Sequence, residues 1–283
     1  MTSQHRLGLI LVALSTLAWS TSGLFARAIT QDLITTLIWR GLFAGAGMLV
    51  VLVVMQGPGG LRGFARLGRV GWLYATISGI GILTYISALQ MTSIAHVAII
   101  YATVPFITAG VAWAILGTRP SPSAAIASML AFGGAVVMVG LGGEGSLLGD
   151  FMALMMSLVM GLLTVIARRN PDMPVLPAGI ASVGLSLLFC LPLATPTLPP
   201  PDQLWLLAGF GLINSTLGFT LFVMGSRYIA PIETALLGAL EAPITPLWVW
   251  LVFSETPTAP TLIGGLVVFT AVFWHITHAA RRR

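Results

Sequence analysis

Almost the whole chain consists of apolar blocks about 20 residues long joined by short turns, the length an α-helix needs to cross roughly 30 Å of hydrocarbon. Ten blocks can be read, at 7–28, 33–55, 70–89, 95–116, 122–141, 149–167, 175–194, 204–227, 232–253 and 260–277. Hydrophobic residues make up 57% of the 283 and charged ones only 7%. A soluble domain, with about a quarter of its residues charged, could not cover its surface on so little. The chain therefore reads as an all-α membrane protein with ten transmembrane helices. The longest connections, 56–69 and the Pro-rich 195–203, leave no room for a soluble domain.

Orientation follows from arginine, because the chain has no lysine. With the N-terminus in the cytoplasm, the inner loops and tails collect Arg6, Arg62, Arg66, Arg69, Arg119, Arg168, Arg169, Arg227 and the terminal Arg281, Arg282 and Arg283. The outer loops then carry Asp32, Glu144, Asp150, Asp202 and Glu255. This is the positive-inside pattern, and it places both termini in the cytoplasm. The net charge of +5 does not indicate a nucleic-acid partner, since the arginines are scattered along one membrane face with no RNA-reading motif. Ala26-Arg27-Ala28 resembles a signal-peptide cleavage site, but the apolar run before it exceeds the usual ~7–15 residues, so the segment reads as a retained first span. The single cysteine, Cys190, can form no internal disulfide and reads as an inert buried thiol.

The chain is also a duplication. A shift of 141 residues puts Gly8 on Gly149, Thr16 on Ser157, Ser20 on Gly161 and Arg27 on Arg168. Further along, the shift settles at 138, pairing Pro105 with Pro243, and then at 137, pairing Trp113 with Trp250 and Pro120 with Pro257. Each copy holds five spans, an odd number, so the second copy enters the membrane from the opposite side and the copies are inverted repeats. Secondary transporters use this arrangement, with the binding site between the repeats near the bilayer midplane. Pro105 and Pro243 would interrupt spans 4 and 9 at matching points, and Pro246 adds a second break in span 9.

The copies resemble the paired five-helix repeats of the drug/metabolite transporter superfamily, EamA type, over 7–141 and 149–277. The residues that carry the likeness are Gly8 to Arg27 with Trp19, Leu37 to Gly41 with Arg40, the Ala88 to Ala98 passage, Val104-Pro105-Phe106, Glu241-Ala242-Pro243 and Phe253-Ser254-Glu255-Thr256-Pro257. Within that superfamily the chain is similar to the YddG-type exporters of aromatic and other amino acids. One departure is Gly117-Thr118-Arg119, where copies often carry a glutamate that the second copy keeps as Glu255. The resemblance implies a ten-helix basket in a bacterial inner membrane, with a central cavity lined by spans 1, 3, 4, 6, 8 and 9 and braced by spans 5 and 10. It also implies small-molecule substrates, amino acids above all; no nucleic acid, cofactor, metal or obligate protein partner is called for.

Polar residues fall on those spans. Span 3 carries Tyr74, Ser78, Gly81 and Tyr85 on one helix face; span 4 offers His96, Tyr101, Thr103 and Thr108; span 8 holds Asn214, Ser215 and Thr216; span 9 places Glu233, Glu241 and Thr245 at multiples of four. Spans 5, 7 and 10 are nearly devoid of polar groups at mid-depth. Glu241 stands out, because an ionisable group at membrane depth costs several kcal/mol unless it faces water or a partner, and no basic residue lies one turn away. The substrate-binding set expected is Trp19, Ser78, Tyr85, His96, Tyr101, Asn214 and Glu241. Thr16, Ser157 and Thr164 read as packing residues bonding helix carbonyls, Trp72, Trp205 and Trp274 as interfacial anchors, and Arg40 as a structural partner of an acid or of helix-end carbonyls.

Chemistry motifs are missing: no Walker loop, no HExxH, no metal-spaced His/Cys/Asp set and no Gly-x-Ser-x-Gly elbow. An intramembrane protease would need a serine with a histidine, or a pair of aspartates, at depth. The reading is therefore a carrier, not an enzyme: an amino acid exporter working by alternating access, with export of another metabolite or drug, or a channel-like facilitator, as the alternatives. In a Cys190→Ser background, Glu144→Cys and Asp202→Cys should react with an impermeant maleimide from outside intact cells, and Arg66→Cys and Arg169→Cys only after permeabilisation. The opposite pattern would sink the orientation.

Overall fold

The computed structural model describes residues 3–92, 94–139, 146–194, 198–254, 256 and 258–281. The acids Glu144 and Glu255, Pro257 of the Pro120 match, and Arg282 and Arg283 lie outside them. All regular structure among the described residues is helical. The helices are α1 (Ser3–Ser20), α2 (Ser22–Ala28), α3 (Leu33–Gln56), α4 (Gly68–Met91), α5 (Ile94–Tyr101), α6 (Val104–Leu116), α7 (Pro122–Val139), α8 (Leu147–Arg169), α9 (Val175–Cys190) and α10 (Pro201–Gly209). A π-helical stretch, Phe210–Gly218, runs on into α11 (Phe219–Gly225). The chain then forms α12 (Pro231–Gly238), α13 (Glu241–Phe253) and α14 (Ala259–Arg281).

Among the described residues, nine helical stretches are long and apolar enough to cross a membrane, and α7 is a shorter apolar helix. Their apolar outer faces are exposed: Val54, Trp205, Leu266 and Phe273 are each more than two-thirds exposed, which suits acyl chains and not water. Trp72, Trp205 and Trp274 are among these outward residues.

Packing runs mainly between the two halves of the chain. Helix α4 lies against α8 and α9, α3 against α9 and the π-helical stretch, α1 against α11, α6 against α8, and α7 against α14. With lipid tails as apolar as leucine, such contacts rest on close backbone approach at small residues. At the α7–α14 crossing a Cβ on Gly134 would stand 2.7 Å from the Gly264 carbonyl oxygen, and one on Gly264 would overlap the Gly134 carbonyl. Neither half could cover its inner face alone.

The turns follow local chemistry. Gly57 ends α3 with a positive φ of 65°, and Gly117, φ 69°, and Ser254, φ 57°, end α6 and α13 in the left-handed helical conformation. Helix α3 starts on an N-cap, Asp32 Oδ1 accepting the Thr35 N–H at 3.0 Å. Hydrogen bonds from Thr35 hold the Asp32 carboxyl below its ordinary value of 3.8. Asp32→Ala should therefore cost about 1 kcal/mol at neutral pH. Cys190, only 1% exposed, gives the readout, because a maleimide dye reaches it once the bundle unfolds on heating. The carboxylate stabilises fully above its ordinary value and loses that contribution as pH falls through the lower folded-state value. Parent and Asp32→Ala should thus converge in acid; a gap that widens there would contradict the cap.

Candidate functional site

Broken helices set up the site. Pro105 has no N–H to offer the Tyr101 carbonyl, and Pro243 none for that of Ala239. The chain tightens before each proline into i→i−3 bonds, Thr103 N–H to Ile100 O at 3.0 Å and Leu240 N–H to Leu237 O at 3.1 Å. Span 4 is thereby split into α5 and α6, and span 9 into α12 and α13. Glu241 becomes the first residue of α13, where an acid sits at the positive end of the half-helix. Pro246 makes no further break: α13 runs through it to Phe253.

Between the halves lies a cavity of about 100 Å³. Trp19 from α1, Ser78 and Tyr85 from α4, Tyr101 from α5, Asn214 from the π-helical stretch and Glu241 from α13 all line it. Six of the seven residues expected from sequence are thus brought together. Glu241 Oε1 accepts the Ser22 hydroxyl at 3.2 Å and the Tyr85 hydroxyl at 3.3 Å. Asn214 donates Nδ2–H to the Trp19 carbonyl at 3.2 Å and accepts Arg40 Nη2–H at 3.4 Å. The Trp19 ring lies 4.8 Å from that of Phe222. Met156, Val159, Met160 and Leu163 of α8 make an apolar wall.

The seventh residue is elsewhere. His96, near the start of α5, does not line the cavity; its Nδ1 meets Asp150 Oδ2 at 3.0 Å, and Asp150 Oδ1 also accepts the Thr92 hydroxyl at 2.7 Å. Its place in the sequence, more than a helical turn before the break at Tyr101, holds it toward the helix end. The wall is also wider than spans 1, 3, 4, 6, 8 and 9. Span 2 adds Arg40, Gly41, Ala44 and Met48, and span 7 adds Ser182, Val183 and Ser186. Span 7 is consequently not bare of polar groups, Ser78 donating to Ser182 at 3.2 Å. Arg40 pairs with no acid among the described residues; it meets the Asn214 amide and stacks 4.6 Å from the Phe210 ring. Glu233 and Glu241 share no stripe, because the break between α12 and α13 turns them to different surroundings.

Glu233 instead meets His5 of α1 at 3.1 Å, both side chains buried. The chain crosses three times, as α1 with α2, α3 and α4, between His5 and Thr92, so the His5–Glu233 and His96–Asp150 pairs stand at opposite faces. Each joins the first half of the chain to the second. A larger hollow, about 400 Å³, opens at the His5 face among helix ends and carries Arg119, Arg168, Glu233 and His275. It lies between helix termini, whereas the smaller cavity lies among helices of both halves. Among the described residues no group of three or more His, Cys, Asp or Glu could hold a metal ion.

A bundle of membrane-crossing helices around a cavity of mixed polar and apolar lining is an architecture suited to a membrane transporter. The chain belongs to the EamA-like transporter family, whose sequence profile it matches twice, at residues 6–140 and 147–277. It is 24% identical over 270 residues to an "Uncharacterized transporter" of Archaeoglobus fulgidus, covering 94% of this chain and 95% of that one. A crystal structure of a protein with 18% sequence identity shares the fold, with a TM-score of 0.79 over 97% of this chain and 98% of that one.

Sequence reasoning missed Ser22 and the span 2 and span 7 walls. Ser22 carried no signal, since its role depends on α13 meeting α2. If the Tyr85 hydroxyl and Glu241 form one unit, a double-mutant cycle of Tyr85→Phe and Glu241→Gln, read by thermal unfolding in detergent, should show a coupling of at least ~0.5 kcal/mol. Additive effects would mean that the two merely lie side by side.

Proposed function

We propose that this chain is a ten-span exporter of the YddG type, with both termini on the cytoplasmic side of a bacterial inner membrane. It moves aromatic and other neutral amino acids by alternating access between inverted repeats at 7–141 and 149–277. The observation that carries the reading is the cavity's mixed lining. It combines the polar groups of Glu241, Tyr85, Asn214 and Ser78 with the apolar and aromatic side chains of Met156, Met160, Leu163 and Phe222. An amino acid has the same mixed character, and Trp19, Tyr85 and Tyr101 suit aromatic side chains.

Matched contacts support the repeats. Thr16 donates to Leu237 O at 3.3 Å and Ser157 to Ile100 O at 3.4 Å; shifts of 141 and 137 convert one contact into the other. A Cβ on Gly8 would stand 2.8 Å from Tyr228 and Ile229, and one on Gly149 2.6 Å from Thr92 and 2.8 Å from the Met91 carbonyl carbon, again residues 137 apart. The α5–α6 and α12–α13 breaks and the left-handed caps Gly117 and Ser254 correspond in the same way.

Alternating access needs a contact between repeats that opens at one face while its counterpart at the other holds. The His5–Glu233 and His96–Asp150 pairs suit those roles, since α1 corresponds to α8 and α12 to α5. In this reading the polar and charged groups of the cavity select substrate, and the face pairs select state.

Glu241 is the central acid. It binds the substrate ammonium or carries a transported proton, and the two roles separate experimentally. In proteoliposomes, the purified protein should exchange radiolabelled phenylalanine with saturation and counterflow, which a channel does not give. Glu241→Gln should then abolish both exchange and pH-driven accumulation if it binds ammonium, or only the accumulation if it carries the proton. Parental transport by Glu241→Gln at every pH would make the residue a packing group and remove its role.

A further inference from the structure

Arg40 is the charge that neither the duplication nor the fold accounts for. It is 5% exposed, well inside α3, and it faces the central cavity. A guanidinium offers five N–H donors, and at this depth an uncompensated cation is costly. Its hydrogen bond to Asn214 Oδ1 is long, 3.4 Å, its Nε has no partner, and no carboxylate of the described residues lies within 4.0 Å. The Phe210 ring, 4.6 Å away, covers one face of the guanidinium and leaves its donor edge for a ligand.

We infer that Arg40, with Asn214, is the carboxylate-binding pole of the cavity, so that the transporter recognises its substrates as zwitterions, carboxylate on Arg40 and ammonium on Glu241. The inference deepens the amino acid reading above and rests on it for the ammonium half. Two observations support the pairing. Arg40 and Glu241 line one cavity but form no ion pair with each other. Tyr85 lines the same cavity, its hydroxyl on Glu241 at 3.3 Å. A basic and an acidic group in one cavity suit a molecule that carries both an ammonium and a carboxylate. The planar fork of the guanidinium suits a carboxylate, which it can hold with two parallel hydrogen bonds, in a way an ammonium cannot. With the zwitterion so held, the substrate side chain would be left to the apolar part of the lining, which includes Met156, Met160 and Phe222.

Four probes on the parent protein test this without any variant: phenylalanine, its carboxamide, phenethylamine, which lacks the carboxylate, and 3-phenylpropanoate, which lacks the ammonium. Each is measured as a competitor of phenylalanine counterflow and as a stabiliser on heating. Phenylalanine should compete best, and the carboxamide and phenethylamine at least about tenfold more weakly, the scale of one lost charge-assisted pair. Arg40→Lys should raise the apparent KM for phenylalanine with little change in maximal rate, and Arg40→Gln should remove the preference for phenylalanine over its carboxamide. Equal competition by all four probes in the parent overturns the inference even if both variants misfold. If phenylalanine is neither transported nor stabilising, the amino acid reading fails. Stabilisation by 3-phenylpropanoate that Arg40→Lys weakens would then uphold the carboxylate pole alone, and its absence would overturn that pole too.

Discussion

Inside a bilayer every backbone N–H and C=O must find its partner within the protein, and the rest of this structure depends on that requirement. Continuous helices meet it without help. Helices broken by Pro105 and Pro243 meet it only where other groups fill the gap, and both breaks lie beside the central cavity with i→i−3 bonds tightening the chain before them. The π-helical stretch is a third departure, and Thr216 there bonds both Gly211 O within its own helix and Ala44 O of α3. Irregular backbone at membrane depth is tolerated where it lines a polar space. The breaks and the cavity are thus one feature, because each break frees backbone and turns side chains inward.

The same economy governs the charged groups. His5 with Glu233, and His96 with Asp150, are paired side chains at the two faces. Arg40 and Glu241, nearer the middle, are held by neutral groups instead: an amide and an aromatic ring for one, two hydroxyls for the other. Had the two met directly, the attraction between opposite charges in a low dielectric would have closed the cavity on itself. Holding them apart on neutral partners leaves each with unspent capacity, which is the condition for binding a third molecule.

Much of this was legible in the sequence because it is periodic or chemically costly. The apolar blocks set the helices to within a few residues, and the prolines at 105 and 243 marked the breaks. Glu241 announced itself as an acid with nothing nearby to neutralise it. What escaped depends on which faces meet. Span 7 looked nearly bare of polar groups, yet the contact of α9 with α3 and α4 brings its Ser182 and Ser186 into the cavity wall. His96 looked like a site residue because it is titratable and on the right span, but its place near the start of α5 gives it to Asp150. Arg40 was visible as an intramembrane cation, expected to pair with an acid or with helix-end carbonyls; only three-dimensional placement shows that it meets the Asn214 amide and the Phe210 ring and that no described carboxylate reaches it.

Symmetry and asymmetry divide along functional lines. The matched features, Thr16 and Ser157, Gly8 and Gly149, the two helix breaks and the two left-handed caps, are structural parts. In the inverted-repeat reading they give the inward-facing and outward-facing states comparable packing, so neither is favoured by much. The site does not follow the repeat: the shift that fits each region puts Val104 opposite Glu241, Phe222 opposite Tyr85 and Ala181 opposite Arg40. In the same reading, a substrate held by these unmatched residues would meet them at different distances from the two exits, so its affinity would differ between the states and bias their populations. That bias changes how readily each face loads or releases, but it cannot by itself move substrate uphill, since binding energy gained on one side is returned on the other. In the exporter reading, net direction comes from a gradient, and among the cavity residues Glu241 is the group whose protonation would connect one to the transport cycle.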